Sequence, residues 1–455
     1  MEKATAKKVL IISNECFSQN SSNGRTLSLL FDCFPPDCLA QFYLHGTPDR
    51  KVCSNYFCVS DQDALNAFLC RRSKKPAAEA PQAKKLQQHV GSPQTEERSG
   101  AASETPEKQL PAAEKTAGMQ KKTVRSCKNL VLRDIIWRSK RWWDADFSDF
   151  LRKFQPEVVL LQAGDSPFMY AIARKIAKKY HARLMMFNTE SYVLKQKLFA
   201  GAKQKSFWHL ALRHRLRVQY RRFMKKAEHC IYNTQWLEDA YQSRYPHAGK
   251  STVLYGTTEY DFEPCTSDEK RFDVTYCGNL GVGRTAPLYE FAGVLQEAIP
   301  EAKLHIYGRF LRASEQRAFQ SLQNTVYHGL VPYEQVRGIL SASTLVFHCE
   351  NSKRIENLRY AFSTKIADSL ACGRPFLVYA SREYPFVQYL EQNNCAHIAS
   401  DRKELSQMLQ RCKDRTYCDS TIENAGRLAI KNHNAHRNSE IMCRIICNEK
   451  VSEES

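Results

Sequence analysis

Short, wholly apolar runs recur along this chain, and the distance between successive runs repeatedly leaves room for one helix. VLIIS (Val9–Ser13), EVVLLQ (Glu157–Gln162) and RLMMFN (Arg183–Asn188) are each strand-sized. None alternates apolar with polar residues, as a strand with one wet face would. Such runs suit parallel strands covered by helices on both faces, and helical patterns such as 168–180 lie between them. HCIYN (229–233) and STVLYG (251–256) extend the series. A polar stretch at 257–271 breaks it, and a second series follows: FDVTYCG, KLHIYG, NTVYHG, STLVFHC and RPFLVYA. The expected fold class is α/β, with two doubly wound Rossmann-like domains at 1–258 and 259–425 and a C-terminal helix and tail at 426–455. Open sheets of this kind bind ligands beyond the carboxyl ends of their strands, so two facing sheets predict a cleft between them.

One segment departs from this pattern. Residues 74–123 are rich in Ala, Pro, Glu, Lys, Gln and Ser and hold no aromatic residue, so they bury too little apolar area to offset their ordering entropy. A disordered insertion in the first domain is expected there. It holds nine basic and six acidic residues, and so supplies only +3 of the net charge of +19 (67 Lys+Arg against 48 Asp+Glu). The remaining positive charge suits nucleic acid, an anionic membrane surface or a phosphorylated ligand. No apolar run reaches the roughly 18 residues of a membrane span. The five-residue run near the N-terminus is shorter than the roughly 7 to 15 apolar residues of a signal peptide. A cytoplasmic protein is therefore expected. Its 17 cysteines show no C-x-x-C pair and no zinc-like spacing with histidine, so they read as free thiols, with no metal.

The strands of the second series end in short glycine-containing or polar turns: GNLGVG (Gly278–Gly283), Gly308-Arg309, GLVP (Gly329–Pro332) and Cys349-Glu350-Asn351. Such turns let backbone N–H groups approach phosphate, and a following helix N-terminus adds partial positive charge. In FSTKIADSLACG, Lys365 falls in the first turn beside Ser363 and Thr364, and Asp368 one turn later. Arg284, Lys365 and this helix start suit a diphosphate, and Asp368 suits a ribose diol. The alternative for Lys365 and Asp368 is a surface i,i+3 ion pair.

The segment YAFSTKIADSLACGRP (Tyr360–Pro375) resembles the signature of the GT-B retaining glycosyltransferases of family four, within the family 1 type. That signature has two acidic residues separated by seven, followed by A-x-G-x-P. Ala371–Pro375 matches the closing run and Asp368 the second acidic position, whereas Tyr360 stands at the first, which serves the donor sugar. FDVTYCGNLGVGR is similar to the family's first nucleotide-domain strand, with Asn279 at its arginine position and Arg284 at its lysine position. Val331 falls where the family's base-binding loop passes. The resemblance implies a GT-B fold and a nucleotide-sugar donor held by Gly278, Asn279, Gly308, Arg309, Val331, Tyr360, Ser363, Thr364 and Asp368. It further implies catalysis by Arg284 and Lys365, retention, and no cofactor beyond the nucleotide sugar, with a UDP-sugar expected.

In the first domain the loop Asn20–Thr26 lies where the family brings a glycine loop towards the donor, which makes Gly24 and Arg25 candidates. Asp165 and Glu190 follow strand ends and suit orientation or deprotonation of an acceptor hydroxyl, although a helix N-cap accounts for Asp165 as well. Asp144 and Asp146 spell D-x-D, the metal pattern of GT-A enzymes, but sit in a helical stretch where capping explains them. His433 and His436 are read as part of a polar C-terminal helix.

The segment FWHLALRHRLRVQYRRFMKK places Trp208, Leu212, Leu216, Tyr220, Phe223 and Ala227 on one helical stripe, and Arg213, Arg217, Arg221 and Lys225 in a separate row. The row suits an anionic membrane surface, or is simply a solvated face. No nucleic-acid motif accompanies it. The expected function is transfer of a sugar to a saccharide or lipid-linked saccharide acceptor in cell-surface polysaccharide synthesis, in the cytoplasm or at the inner membrane face. The alternative is a non-catalytic GT-B-like scaffold.

Overall fold

The computed structural model describes residues 7–19, 21–70, 126–196, 205–264, 272–281 and 283–449. The insertion expected at 74–123 lies outside the described residues. Two parallel sheets organise the chain. The first contains β1 (Val9–Ile12), β2 (Leu39–Tyr43), β3 (Asn55–Cys58), β4 (Val158–Gln162), β5 (Arg183–Asn188), β6 (His229–Tyr232) and β7 (Lys250–Val253), in the order β3-β2-β1-β4-β5-β6-β7. The second contains β8 (Asp273–Cys277), β9 (Lys303–Tyr307), β10 (Thr325–Gly329), β11 (Leu345–Cys349), β12 (Phe376–Tyr379) and β13 (His397–Ala399), in the order β10-β9-β8-β11-β12-β13. Both are doubly wound. The strand order reverses at β1/β4 and at β8/β11, and the crevice at each reversal opens at the carboxyl ends of the strands.

The inner strands of each sheet, such as β1, β4, β11 and β12, are buried on both faces, which is why they read as unbroken apolar runs. Leu10 and Ile12 join one core cluster with Phe42, Leu161 and Met186. Their neighbours Val9 and Ile11 join another on the opposite face, with Leu160 and Met185. Each such side chain contributes about 1.5–3 kcal/mol on burial. A polar residue on either face of these strands would therefore need its own partner. Gln41 in β2 has several: its side chain accepts from Phe17 N–H at 2.8 Å and donates to Ser13 Oγ at 2.8 Å.

The last helix, Ala435–Cys447, returns to the first domain, where Met442, Ile445 and Ile446 complete the cluster around Val9. The chain thus crosses between the domains twice, and the crossings meet at a bridge between Thr258 and Asn434. His433 sits at that seam. Its Nδ1 lies 2.7 Å from Gly256 O and its Nε2 3.0 Å from Tyr389 Oη, while its ring stacks on Phe362 at 5.3 Å. It is fully buried rather than on a polar helix surface, whereas His436 is exposed and pairs with Glu440. Burial holds His433 near a pKa of about 4.

The basic segment forms the helix Phe207–Met224, with Leu212, Leu216, Tyr220 and Phe223 buried as the stripe requires. Trp208 departs from it and stays exposed beside Phe207. The cationic residues do not form one surface. Arg215 pairs with Asp134 at 3.0 Å, Arg213 and Arg217 are half-buried, and Arg221 and Lys225 are exposed. Asp144 is the N-cap of the helix Ala145–Phe154, accepting from Phe147 N–H at 3.0 Å, so the D-x-D pair opens a helix.

Candidate active site

The helix Thr364–Ala371 starts at the carboxyl end of the second sheet, with Ser363 as N-cap and no side-chain capping bond. Ile366 N–H donates to Ser363 O at 2.9 Å, and the amides of Thr364 and Lys365, with the positive end of the helix dipole, lie at the cleft without a side-chain cap. Lys365 in that turn lies against the end of β8, where a Cβ on Gly278 would come within 2.8 Å of Lys365 Cε. Gly308, after β9, approaches even more closely: a Cβ there would overlap Gly278 O at 1.9 Å. Only glycine fits at this crossing of two strand ends.

These elements enclose a cavity of about 280 Å³ whose walls include Arg25, Gly278, Asn279, Gly308, Val331, Thr364, Lys365 and Asp368. The second-domain turns and the first-domain residues Gln19, Ser21 and Arg25 thus converge. A neighbouring cavity of about 170 Å³ shares Thr364 and Lys365 and adds Ser363 and Glu190. Burial, reinforced by Arg284, pulls the Lys365 ammonium below its usual pKa. A positive group held in a low-dielectric wall attracts an anion more strongly than one in bulk water.

Asp368 is buried, and burial raises its pKa against the stabilising bonds from Tyr333 and Thr258. Tyr333 Oη donates to Asp368 Oδ1 at 2.7 Å. The Tyr333 ring meets the Arg25 guanidinium over its face and stacks with the Tyr260 ring, the latter at 5.5 Å and 11°. This three-residue stack, hydrogen-bonded to Asp368, joins the two domains beside the cavity and is invisible to motif reading.

Other expected positions lie elsewhere. Arg284 does not line the cavity. Its guanidinium is buried against Glu350, with Nε to Oε1 at 2.9 Å, and its Nη1 donates to Asn279 O at 3.3 Å. Glu350 in turn lies 3.3 Å from His348. Burial would raise the Glu350 pKa, yet His348 and Arg284 together hold it down at about 2. Arg284 thus ties the turn after β8 to the turn after β11, its guanidinium paired with a buried carboxylate and outside the cavity lining. Asn279 also braces its own turn, accepting from Gly281 N–H at 2.8 Å.

Arg309 is exposed and lines neither cavity. Gly24 is buried inside the helix Ser22–Leu30, where its N–H caps onto Ser21 Oγ at 3.1 Å, so the expected glycine loop is a helix start. Tyr360 packs against the first-domain core and lines a separate interdomain cavity. Asp165 lines a first-domain hollow with Asn14, His45 and Tyr192, and the N-cap of the following helix is Ser166. Of the two first-domain acids, only Glu190 lines a cavity with Lys365, and Lys195 neutralises it at 2.6 Å.

The histidine and cysteine spacing hid one cluster. His397, Cys412 and Cys418, all buried, place their ligand atoms within 4.8 Å of one another. None of the three lines either cavity. Among the described residues no helix is long and apolar enough to cross a membrane.

Residues 284–444 match the family model described as glycosyl transferase-like. No curated protein sequence matches the chain. The structure is similar to that of sucrose-phosphate synthase from Thermosynechococcus elongatus, with TM-score 0.57, 12% identity, and coverage of 96% of this chain and 98% of the other. It is similar to Anabaena HepE, solved in complex with UDP-glucose, with TM-score 0.57, 9% identity, and coverage of 97% and 99%. The lipopolysaccharide outer core galactosyltransferase WaaB, in its apo form, aligns with TM-score 0.51, 13% identity, and coverage of 95% and 99%. With two doubly wound sheets, a cavity at the strand ends of the second and this family match, the chain has a GT-B fold in which residues 284–444 are similar to the glycosyl transferase-like family.

Proposed function

We propose that the chain transfers a sugar from a nucleoside diphosphate sugar to a hydroxyl of a saccharide or lipid-linked saccharide acceptor. The observation that carries this reading is the cavity walled by Gly278, Gly308, Lys365 and Asp368 at the uncapped start of the helix Thr364–Ala371. The second domain holds the donor. Lys365 and the first-turn amides neutralise the departing diphosphate, the charge stabilisation that other transferases obtain from a metal. Asp368 accepts from the ribose, and the base lies along Val331.

In the reaction the bond from the anomeric carbon to the diphosphate oxygen breaks and a bond to the acceptor oxygen forms. The nucleoside diphosphate leaves, and the hydroxyl proton passes to a base. Glu190 is the acid placed to orient that hydroxyl, while Asp165, in its own hollow, serves the acceptor farther out. Cleft closure excludes competing water. UDP as the nucleotide, retention and a place in cell-surface polysaccharide synthesis complete the reading; HepE was solved with UDP-glucose. Arg221 and Lys225, with exposed Phe207 and Leu210 on the same helix, suit peripheral docking at the cytoplasmic face of an anionic membrane.

A second reading rests on a specific observation. Tyr360 stands at the first acidic position and is turned to the first-domain core, and Arg284 is held by Glu350. A non-catalytic GT-B-like scaffold would tolerate both.

Titration with UDP, GDP, ADP and TDP, followed by transfer and donor-hydrolysis assays with the preferred nucleotide's sugars, tests the proposal. Turnover supports the enzyme. Binding without transfer or hydrolysis across a broad sugar panel supports the scaffold, and absence of nucleotide binding contradicts the donor site.

A further inference from the structure

Between Ser191 and Ala227 the chain carries eleven basic residues and no acidic one. The fold directs part of this charge inward. A cavity of about 570 Å³ opens between the domains beside the one containing Glu190, and its walls carry Lys195, Arg213 and Arg244 from the first domain and Lys353 and Arg359 from the second, against the single acid Glu356. Lys195 already pairs with Glu190. Arg213 Nε is buried and has no hydrogen-bond partner among the described residues. Burial, with Arg217 and Arg244 nearby, pulls the Arg213 pKa down.

A half-buried guanidinium whose cavity wall carries five basic groups against one acid is costly unless something negative enters. The position limits what that is. The Lys195–Glu190 pair joins this cavity to the one containing Lys365, and Tyr360 continues into Ala361 of that same wall. Whatever occupies it therefore lies next to a sugar held at the donor site, on the acceptor side.

We propose that this interdomain cavity binds an anionic group, phosphate or carboxylate, on the saccharide acceptor; the inference rests on the transfer reading above. Arg213 and Arg244 grip the anion from the first domain and Arg359 from the second, so the acceptor's charge also draws the domains together. Guanidinium groups suit both anions because each offers two parallel donors. The acceptor class is accordingly an acidic or phosphorylated saccharide rather than a neutral one.

The test is a crossed binding experiment on the full chain. Wild type, Arg213→Met, Arg359→Gln and Lys365→Ala are each titrated with trigalacturonate, glucose 1-phosphate, maltotriose and UDP, the glucose 1-phosphate titrations being run in the presence of saturating UDP. Wild type is expected to bind at least one of the two anionic sugars tenfold or more tightly than maltotriose. Which of the two wins identifies carboxylate or phosphate. Arg213→Met and Arg359→Gln are each expected to lose tenfold or more of that affinity while keeping UDP affinity within twofold. Lys365→Ala shows the opposite loss, so failure of the donor site and failure of this site are separable. Without ligand, Arg213→Met is expected to melt no lower than wild type, whereas a purely structural arginine would lower the midpoint. Equal binding of charged and neutral sugars by wild type overturns the proposal, as does anion affinity unchanged in Arg359→Gln, an exposed position that leaves folding intact.

Discussion

Tyr333 Oη donates to Asp368 Oδ1 across 35 residues of sequence, so the carboxylate assigned to the ribose is already fixed by a partner on the base-binding side. Its remaining lone pairs are what a ribose can use. Tyr333→Phe keeps the ring contacts with Arg25 and Tyr260 but removes this donor from a buried carboxylate. A loss of about 1–3 kcal/mol in urea denaturation is expected, with no change if the bond contributes nothing.

Asp368 itself should discriminate sugars. Wild type is expected to prefer UDP over 2′-deoxy-UDP by about tenfold, or about 1.4 kcal/mol, since a carboxylate hydrogen bond is among the stronger kind. In Asp368→Asn the preference should shrink to about twofold or less. An undiminished preference would place the ribose elsewhere.

Glu350 makes the fold acid-sensitive. Its carboxyl is held at about 2 in the folded chain by His348 and Arg284, below the roughly 4.3 of an unfolded glutamate. Its contribution is therefore complete above about pH 4.3 and is lost as pH falls towards 2. Glu350→Gln leaves Arg284 buried without a counter-charge and should cost about 3–5 kcal/mol at neutral pH. The variant should also show a flatter stability profile below pH 4.3, measured by urea midpoints.

His433 acts in a higher window. Its folded pKa of about 4 lies below the unfolded value of about 6.5, so the unfolded chain takes up the proton first and stability falls as pH drops from about 6.5 to 4. His229, also held at about 4 by burial, adds to the same slope. His433→Gln should reduce that slope without abolishing it; an unchanged slope would show that His433 does not titrate across folding.

The inner strands of the second domain, β11 and β12, were legible because burial on both faces leaves apolar runs such as STLVFHC. β2 and β3 were not. Gln41 interrupts the first, its polarity satisfied by Phe17 and Ser13, and β3 is a half-exposed edge strand. The glycine turns and the Lys365 helix were legible from local spacing. The pairing of Arg284 with Glu350 was not legible because the two lie 66 residues apart, and Tyr333 was missed because nothing local links it to Asp368. Sequence spacing reports what a turn or helix brings together, whereas pairs across sheet ends appear only once the topology is known.

The central claim is that Lys365 and its helix start bind a diphosphate, and isothermal titration of UDP and uridine against wild type and Lys365→Ala tests it most directly. Loss of one charge-assisted contact of about 1.5–3 kcal/mol predicts a UDP affinity weakened by about 10- to 100-fold in the variant, with uridine binding unchanged. Equal UDP affinity in the two proteins would contradict the account.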